Sequence, residues 1–278
     1  MKYICGYGVS SHLGFMRKSI AVLFFASGVS GLIYQLLWIR EFTYLLGSAY
    51  LTVSIVVAAF MAGLLAGAWL AGKYIARIKN RIKWYAFLEI FVGIYAIAFA
   101  VGFPAFDFLF GAIAVIFGNA DVLRIIATAL VVILIMLPPT CAMGATLPLL
   151  VHHFTRTSSE FKNNISLFYS INTLGAALGV LIAGFYLVEK TGISTGILIT
   201  GIFNMLIGSI AWVLYRRAEE KLLPETVTSP EQGKLRNQKK KTDALSPKSP
   251  APSINNSKWL ILGVAGLAGF TSLSYEIT

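Results

Sequence analysis

Long apolar segments alternate with short polar connections along most of the chain. The apolar segments cover residues 19–39, 50–72, 84–103, 123–151, 164–188 and 193–215, and a seventh opens at Trp259 and runs to Thr278. Each of them has about the 20 residues that an α-helix needs to cross a bilayer. Because lipid offers the backbone no hydrogen-bond partners, such segments are predicted to be helices. The pattern therefore predicts an all-α integral membrane protein.

Two further stretches do not fit the pattern of spans. Residues 104–121 are apolar but contain Pro104, Gly111 and Gly118, so we expect a short interfacial helix between the third and fourth spans. Residues 216–258 are rich in Pro, Ser, Lys and Gln and contain few large apolar residues. A segment of that composition cannot bury enough apolar surface to fold, and it is predicted to be a disordered linker.

The charge distribution predicts the orientation in the membrane. The net charge is +11, a balance often found in nucleic-acid-binding proteins. Nearly all Lys and Arg residues, however, lie on alternate connections between spans; the exceptions are Arg40, Arg124 and Lys190. Basic residues collect on the cytoplasmic side of membrane proteins. We therefore predict a multi-pass protein of the inner (plasma) membrane, with residues 1–18 and 216–258 in the cytoplasm and no nucleic-acid partner.

The first and seventh spans open with related sequences. SGVSGLIYQLL, which begins at Ser27, and AGFTSLSYEIT, which begins at Ala268, share Gly, Leu and Tyr at equivalent positions. Six spans, a cytoplasmic linker and a restart are the layout of two parallel halves in a transporter. On this basis residues 19–215 are predicted to be one six-helix half. Residues 259–278 would be the truncated start of a second half, so that the chain is a fragment lacking its C-terminal helices.

Polar residues inside the predicted spans are the candidates for a substrate path. Those singled out are Tyr34, Gln35, Glu89, Tyr169 and Asn172, and Asn204 is a further polar residue in the sixth span. An ionisable group inside a span is costly and is a functional candidate by default. For Glu89 the alternative is an ion pair with Lys83 or Arg81 near the cytoplasmic face. Arg40 and Glu41 are expected to lie at the outer interface.

Glycine and proline spacing predicts how the helices pack and bend. Glycines four residues apart let helix backbones approach closely, and they occur as Gly63 with Gly67 and Gly175 with Gly179. The fourth span contains Pro138, Pro139 and Pro148. Because proline removes a backbone donor, we expect a kinked or broken helix there, which either is a fixed bend or forms part of a substrate site.

Signatures of soluble enzymes are absent from the sequence. It contains no GxGxxG, P-loop, HExxH, CxxC or GxSxG motif. His152 and His153 are adjacent, but no third metal ligand accompanies them, so no metal site is predicted. No catalytic residue is predicted in this chain.

Several stretches resemble one family of bacterial membrane proteins. They are SGVSGLIYQLLWIRE (27–41), AAFMAGLLAGAWLAGK (58–73), LPPTCAMGATLPLL (137–150) and YSINTLGAALGVLIAGFYLVEKTGI (169–193). They look like the transmembrane region of fused major facilitator/spermidine synthase proteins. The loop GKYIARIKNRIK also resembles the cytoplasmic loop motif of the major facilitator superfamily, although Ala76 stands where the motif has an acidic residue.

The resemblance implies a six-helix half bundle of major facilitator type plus the start of a seventh helix. It further implies that missing helices and a cytoplasmic spermidine synthase-like domain follow. That domain would use decarboxylated S-adenosylmethionine and a diamine such as putrescine as substrates, and no cofactor is expected in this chain. The resemblance leaves open whether the full-length protein is an aminopropyltransferase.

The expected function is that of the membrane domain of a spermidine synthase-like protein. It would anchor the synthase-like domain in the lipid bilayer and transport polyamine or a related solute, for which carboxylates and aromatic rings are suitable partners. The alternatives are a secondary transporter of major facilitator type without an enzymatic domain, and a membrane scaffold that transports nothing.

Overall fold

The described part of the chain is built almost entirely of helices. The computed structural model describes residues 4–222 except residues 119 and 156. The helices are α1 (Ile4–Leu46), α2 (Ala49–Tyr74), α3 (Arg81–Phe117), α4 (Asp121–His153), α5 (Ser158–Ile182), α6 (Val188–Thr191) and α7 (Ile193–Leu222). A 3₁₀ turn, Ile75–Arg77, follows α2, and a π-helical stretch, Ala183–Leu187, joins α5 to α6. Over residues 4–222, with the two gaps, no strand occurs, and the all-α class is confirmed.

Six helical segments are long and apolar enough to cross a bilayer. They are Phe15–Leu46, Ala49–Arg77, Arg81–Phe103, Val122–His153, Glu160–Thr191 and Ile193–Glu219. Each contains or closely overlaps one of the six predicted spans, in the same order. The chain is therefore a multi-pass membrane protein, as its hydropathy predicts.

Several predicted boundaries need correction. The first helix begins at Ile4, inside the predicted N-terminal segment, and α7 continues through residues 216–222 of the predicted linker. The remainder of that linker and the seventh span lie outside the described residues. The predicted interfacial helix is also wrong, because residues 104–117 continue α3 without interruption. Phe110 and Ile113 of this extension belong to an apolar cluster that also contains Trp38 and Phe99. The helix ends at Phe117 and is followed by Gly118, which has a positive φ of 48°.

The proline-rich fourth span is not broken. Helix α4 includes all three prolines in one continuous helix. Pro139 has no N–H to donate to the carbonyl of Ile135, four residues earlier. The hydroxyl of Tyr95 on α3 donates to that carbonyl at 2.6 Å instead. A neighbouring helix thus supplies the donor that Pro139 removes, so α4 continues through the position where a kinked or broken helix was predicted.

Close backbone contacts join α2 to α4 and α5 to α1. A Cβ atom added at Gly67 would overlap the backbone of Cys141, and one added at Gly179 would overlap the backbone of Val29. One turn earlier in each helix, Gly63 lies against Thr140 and Gly175 lies against Phe25. Both predicted glycine pairs therefore lie at helix crossings, where the lack of a side chain lets the backbones meet.

The helix contacts have an internal symmetry. The most extensive contacts join α2 to α4, α3 to α7, and α1 to α5, followed by α3 with α4, α1 with α7, α1 with α2, and α4 with α5. Exchanging α1, α2 and α3 with α4, α5 and α7 converts this set of contacts into itself. Each set contains three spans, which is an odd number of membrane crossings, so the second set begins on the opposite side of the membrane from the first. These contacts are those expected of two sets of three spans with opposite orientations, as in an inverted repeat.

Candidate functional site

A layer of polar side chains lies where α1, α3 and α7 meet. It consists of Ser27 and Ser30 from α1, Glu89 from α3 and Asn204 from α7, and we call it the polar layer. Glu89 is 2% exposed, and Ser30 and Asn204 are each 1% exposed. One apolar cluster, which includes Tyr85 and Ile207, lies on one side of this layer, and a second, larger cluster lies on the other. The layer therefore interrupts an otherwise apolar core.

Neutral donors bind both carboxylate oxygens of Glu89. The Ser27 hydroxyl donates to Glu89 Oε1 at 2.6 Å, and Asn204 Nδ2 donates to Glu89 Oε2 at 2.8 Å. Asn204 Oδ1 faces the hydroxyl of Ser30, and this contact together with the bond to Glu89 orients the amide. Within the part of the chain that the structure describes, no basic side chain pairs with Glu89.

The ion pair considered for Glu89 is thus not present in this structure. The ammonium group of Lys83 lies over the ring of Trp212 instead, 5.6 Å from its centroid. Glu89 is eight residues from the start of α3 at Arg81, which places it about 12 Å along the helix. It therefore lies beyond the basic residues that begin the helix, inside the span Arg81–Phe103, which is long enough to cross a hydrocarbon core about 30 Å thick.

The polar layer is centred on the crossing of α3 and α7. A Cβ atom at Gly93 of α3 would lie 2.6 Å from the carbonyl oxygen of Gly201 on α7. On the other side of the crossing, a Cβ atom at Gly208 would lie 2.8 Å from the carbonyl oxygen of Ala86. These close approaches bracket the hydrogen bond between Glu89 and Asn204. Because α3 and α7 exchange with each other in the symmetry of the bundle, this pair lies at the interface of the two repeats.

The hydroxyl of Tyr85, one turn before Glu89 on α3, faces the Glu89 carboxylate. Two further buried donors, on α1, have no hydrogen-bond partner among the described residues. They are the hydroxyl of Tyr34 and the indole Nε1 of Trp38. Both side chains are at most 2% exposed, and their rings stack with centroids 5.4 Å apart. A buried donor without an acceptor is unfavourable by about 1–3 kcal/mol, so these groups are suited to hold water or a ligand.

The structure places the predicted path residues in different surroundings. Tyr34 and Glu89 lie at the same helix interface, and Gln35 is buried beside Tyr34 on α1. Asn172 lies against the backbone of α1 at Gly28 and is half-buried. Tyr169 is 61% exposed on α5 and takes no part in the polar layer.

The two serines are the functional candidates that sequence reasoning missed. Serine in a helix commonly bonds to the carbonyl of the preceding turn, so its presence in a span signals little. The Ser30 hydroxyl lies 2.8 Å from the carbonyl oxygen of Ser27 and also contacts Asn204 Oδ1, so its single hydrogen is shared between these two acceptors. Only the packing of α1 on α3 and α7 shows that both hydroxyls face Glu89 and its partner.

A second buried carboxylate lies further along α1. Glu41 is 7% exposed, and the hydroxyl of Ser194 on α7 donates to its Oε1 at 3.0 Å. The neighbouring Arg40 is exposed. Among the described residues, Glu41 and Glu89 are the charged side chains that are buried, and both are acidic. At Glu89, where no basic side chain of the described residues pairs with the carboxylate, the interior favours a positive charge over a negative one.

Comparisons with known protein families, with characterised proteins and with solved structures give no match for this chain.

Proposed function

We propose that this chain is a transporter-type membrane domain of the major facilitator kind and that it moves a cationic solute across the plasma membrane. The observation that supports it best is the Glu89–Asn204 pair at the interface of two exchangeable sets of three spans. In transporters built from inverted repeats, substrate and ion sites lie near the membrane centre at that interface. A membrane scaffold gives no reason for a carboxylate at this position.

The charge of the interior supports a cation as the solute. Both buried charges of the described residues are carboxylates, and Tyr34 and Tyr85 lie near one of them, Glu89. Ammonium groups bind to carboxylates by charge pairing and to aromatic faces by cation–π contacts. Polyamines are the first solutes to test, since the resemblance to fused spermidine synthase proteins implies polyamine chemistry.

The same resemblance supports a second role as a membrane anchor. In a protein of that kind, the bundle would hold an aminopropyltransferase domain at the cytoplasmic surface. The alternating distribution of basic residues supports this orientation, with both the N-terminus and the segment after α7 in the cytoplasm. If so, the product of the complete gene should show aminopropyltransferase activity in the membrane fraction.

Uptake into liposomes tests the transport proposal. The purified chain is reconstituted, and uptake of labelled putrescine and spermidine is compared with that of an uncharged solute. We expect uptake of the polyamines only, and a loss of about tenfold or more in the Glu89→Gln variant, because a charge-assisted contact is removed. Glu189→Gln is the matched control, since Glu189 is exposed near the end of the fifth span.

Two results would contradict the proposal. One is polyamine uptake no greater than that of empty liposomes. The other is an equal loss of uptake in Glu89→Gln and Glu189→Gln, which would show that the buried carboxylate has no special part in transport.

A further inference from the structure

We propose that an anionic phospholipid binds between α3 and α4, with its phosphate group on Arg81 and His152 and one acyl chain in an apolar groove further along the same two helices. The site lies at one end of the bundle and shares no residue with the polar layer, so it is independent of the proposed transport function. Two features indicate it: a basic cluster without an acidic partner, and an apolar groove on the same helix faces.

A cluster of basic side chains lies where α3 begins and α4 ends. Arg81 is the first residue of α3, and His152 and His153 are the last two residues of α4. The charge of Arg81 acts on both imidazoles. Next to Arg81, the side chain of Ile82 packs in one apolar cluster with Val151. The start of α3 is therefore packed against the end of α4, and the three basic side chains lie around this contact.

Arg81 has no acidic partner in the part of the chain that the structure describes. Its Nε atom is buried and donates no hydrogen bond there. The first turn of α3 contains no acidic residue, and the side chain of the N-cap residue, Asn80, bonds to Tyr215 instead of capping the helix. A guanidinium binds phosphate through parallel N–H groups, and the free N–H groups of a helix N-terminus favour the same charge. An anion is thus the partner that this cluster lacks.

An apolar groove lies between α2, α3 and α4, further from the ends of the helices. Its volume is about 330 Å³, and the described residues that line it carry no charge. They include Leu70 of α2, Phe87 and Leu88 of α3, and Ala145 of α4. Phe87 is 54% exposed and Leu70 is 42% exposed, so the groove opens towards lipid. An acyl chain is the apolar group that fills such a groove in a membrane, since an empty one loses van der Waals contacts.

The basic cluster and the groove lie on the same faces of α3 and α4. Seven residues make nearly two helical turns, so residues seven apart lie on one face, about 10 Å from each other. Leu88 follows Arg81 by seven residues, and Ala145 precedes His152 by seven. Both helices are continuous between these positions. A lipid whose phosphate lies at the basic cluster can therefore extend an acyl chain into the groove.

The position of the cluster fits the level of lipid headgroups. Arg81 begins the span Arg81–Phe103, and His153 ends the span Val122–His153. Residues at the ends of membrane spans lie near the polar surface of the bilayer. Trp84, one turn into α3, is 47% exposed, as is common for aromatic residues at that surface. Because the positive charge of Arg81 is not paired among the described residues, an anionic lipid is favoured over a zwitterionic one.

Native mass spectrometry of the delipidated full chain in detergent tests the phosphate site. The dissociation constant of phosphatidylglycerol is compared with that of phosphatidylcholine with the same acyl chains. We expect phosphatidylglycerol to bind about tenfold or more tightly, and Arg81→Gln to lose this preference. Lys79→Gln is the matched control, because it removes the same charge from an exposed side chain two residues earlier and should keep the preference.

A larger side chain in the groove tests the acyl chain. Ala145→Leu should weaken phosphatidylglycerol binding about threefold or more, because the added methyl groups occupy the groove. Ala177→Leu, at an exposed position of α5, should leave binding unchanged. If Arg81→Gln does not fold, His152→Gln replaces it and should reduce the preference for phosphatidylglycerol. Inorganic phosphate, added as a competitor, distinguishes a lipid site from a site for free phosphate.

Three results would overturn the lipid site. The first is equal affinity of the unsubstituted chain for both lipids, and the second is an unchanged preference in both Arg81→Gln and His152→Gln. The third is unchanged binding in Ala145→Leu together with full displacement of the lipid by inorganic phosphate, which would show a site for free phosphate. Lipid binding as expected, without polyamine uptake, would overturn only the proposed transport function.

Discussion

Gly67 on α2 offers the most direct test of how the helices pack. A Cβ atom there would overlap the carbonyl oxygen of Cys141 on α4 and lie 2.7 Å from its carbonyl carbon and 2.9 Å from its Cα. All three atoms belong to the backbone, so no side chain can move aside, and α2 must separate from α4. At Gly72, further along the same helix, an added Cβ atom meets nothing within 4 Å.

The expected loss of stability follows from a comparison of the two glycines. Replacing either with alanine favours the helix by about 0.5–1 kcal/mol. At Gly67 the overpacking also costs about 1–3 kcal/mol, whereas Gly72 has space for the methyl group. Because the helix contribution cancels in the comparison, Gly67→Ala should be less stable than Gly72→Ala by about 1–3 kcal/mol. If α5–α1 packing repeats α2–α4 packing, Gly179→Ala should lose a similar amount.

The assay is reversible unfolding in mixed micelles of a mild detergent and dodecyl sulfate, with the loss of helix measured by circular dichroism. The free energy of unfolding is extracted for each variant from the midpoint and the slope of the transition. Equal stability of Gly67→Ala and Gly72→Ala would refute the close approach of α2 and α4. If Gly67→Ala is destabilised but Gly179→Ala keeps the stability of the unsubstituted protein, the α5–α1 and α2–α4 pairs do not pack in the same way.

Two further predictions concern hydrogen bonds between helices and loops, and the same unfolding assay checks both. Tyr95→Phe should lower the free energy of unfolding by about 1–2 kcal/mol, because the carbonyl of Ile135 loses its donor. When Pro139 is also replaced by alanine, the restored backbone N–H should donate to that carbonyl, and Tyr95→Phe should then have little effect on stability. Asn164→Ala should lower the free energy of unfolding by about 1–3 kcal/mol. The buried Asn164 amide donates to the carbonyl of Phe154 at 2.9 Å and so holds the connection between α4 and α5 in place. A decrease below about 0.5 kcal/mol would contradict this role.

Hydropathy and glycine spacing predicted the parts of the fold that depend on local sequence. The six spans follow from the length of apolar runs, since only a helix satisfies its own backbone in lipid. The contacts at Gly67 and Gly179 follow from spacing alone, because glycines four residues apart lie on one helix face. The partner of each glycine pair, by contrast, could not be predicted, because spacing does not say which helix packs there.

The polar layer and the continuity of α4 depend on residues that are distant in sequence. Nothing near Pro139 indicates that Tyr95, on another helix, donates to the carbonyl of Ile135. Similarly, the hydrogen-bonded group around Glu89 brings together residues from the first, third and sixth spans. The sequence indicated that Glu89 was costly and suggested a basic neighbour, but tertiary packing supplied neutral donors instead.

The chemistry of the site departs from the symmetry of the scaffold that holds it. Glycines bring α3 and α7 together on both sides of one central pair, yet α3 contributes a carboxylate to that pair and α7 an amide. A bundle selected for stability alone would have little use for this difference, since an apolar residue of similar volume usually stabilises a buried position at least as well as a charged one. The carboxylate therefore argues for a function that requires a negative charge in the membrane. On this reasoning Glu89→Gln should reduce cation uptake by about tenfold or more while leaving the bundle at least as stable. A parallel loss of stability and uptake would instead favour the membrane scaffold.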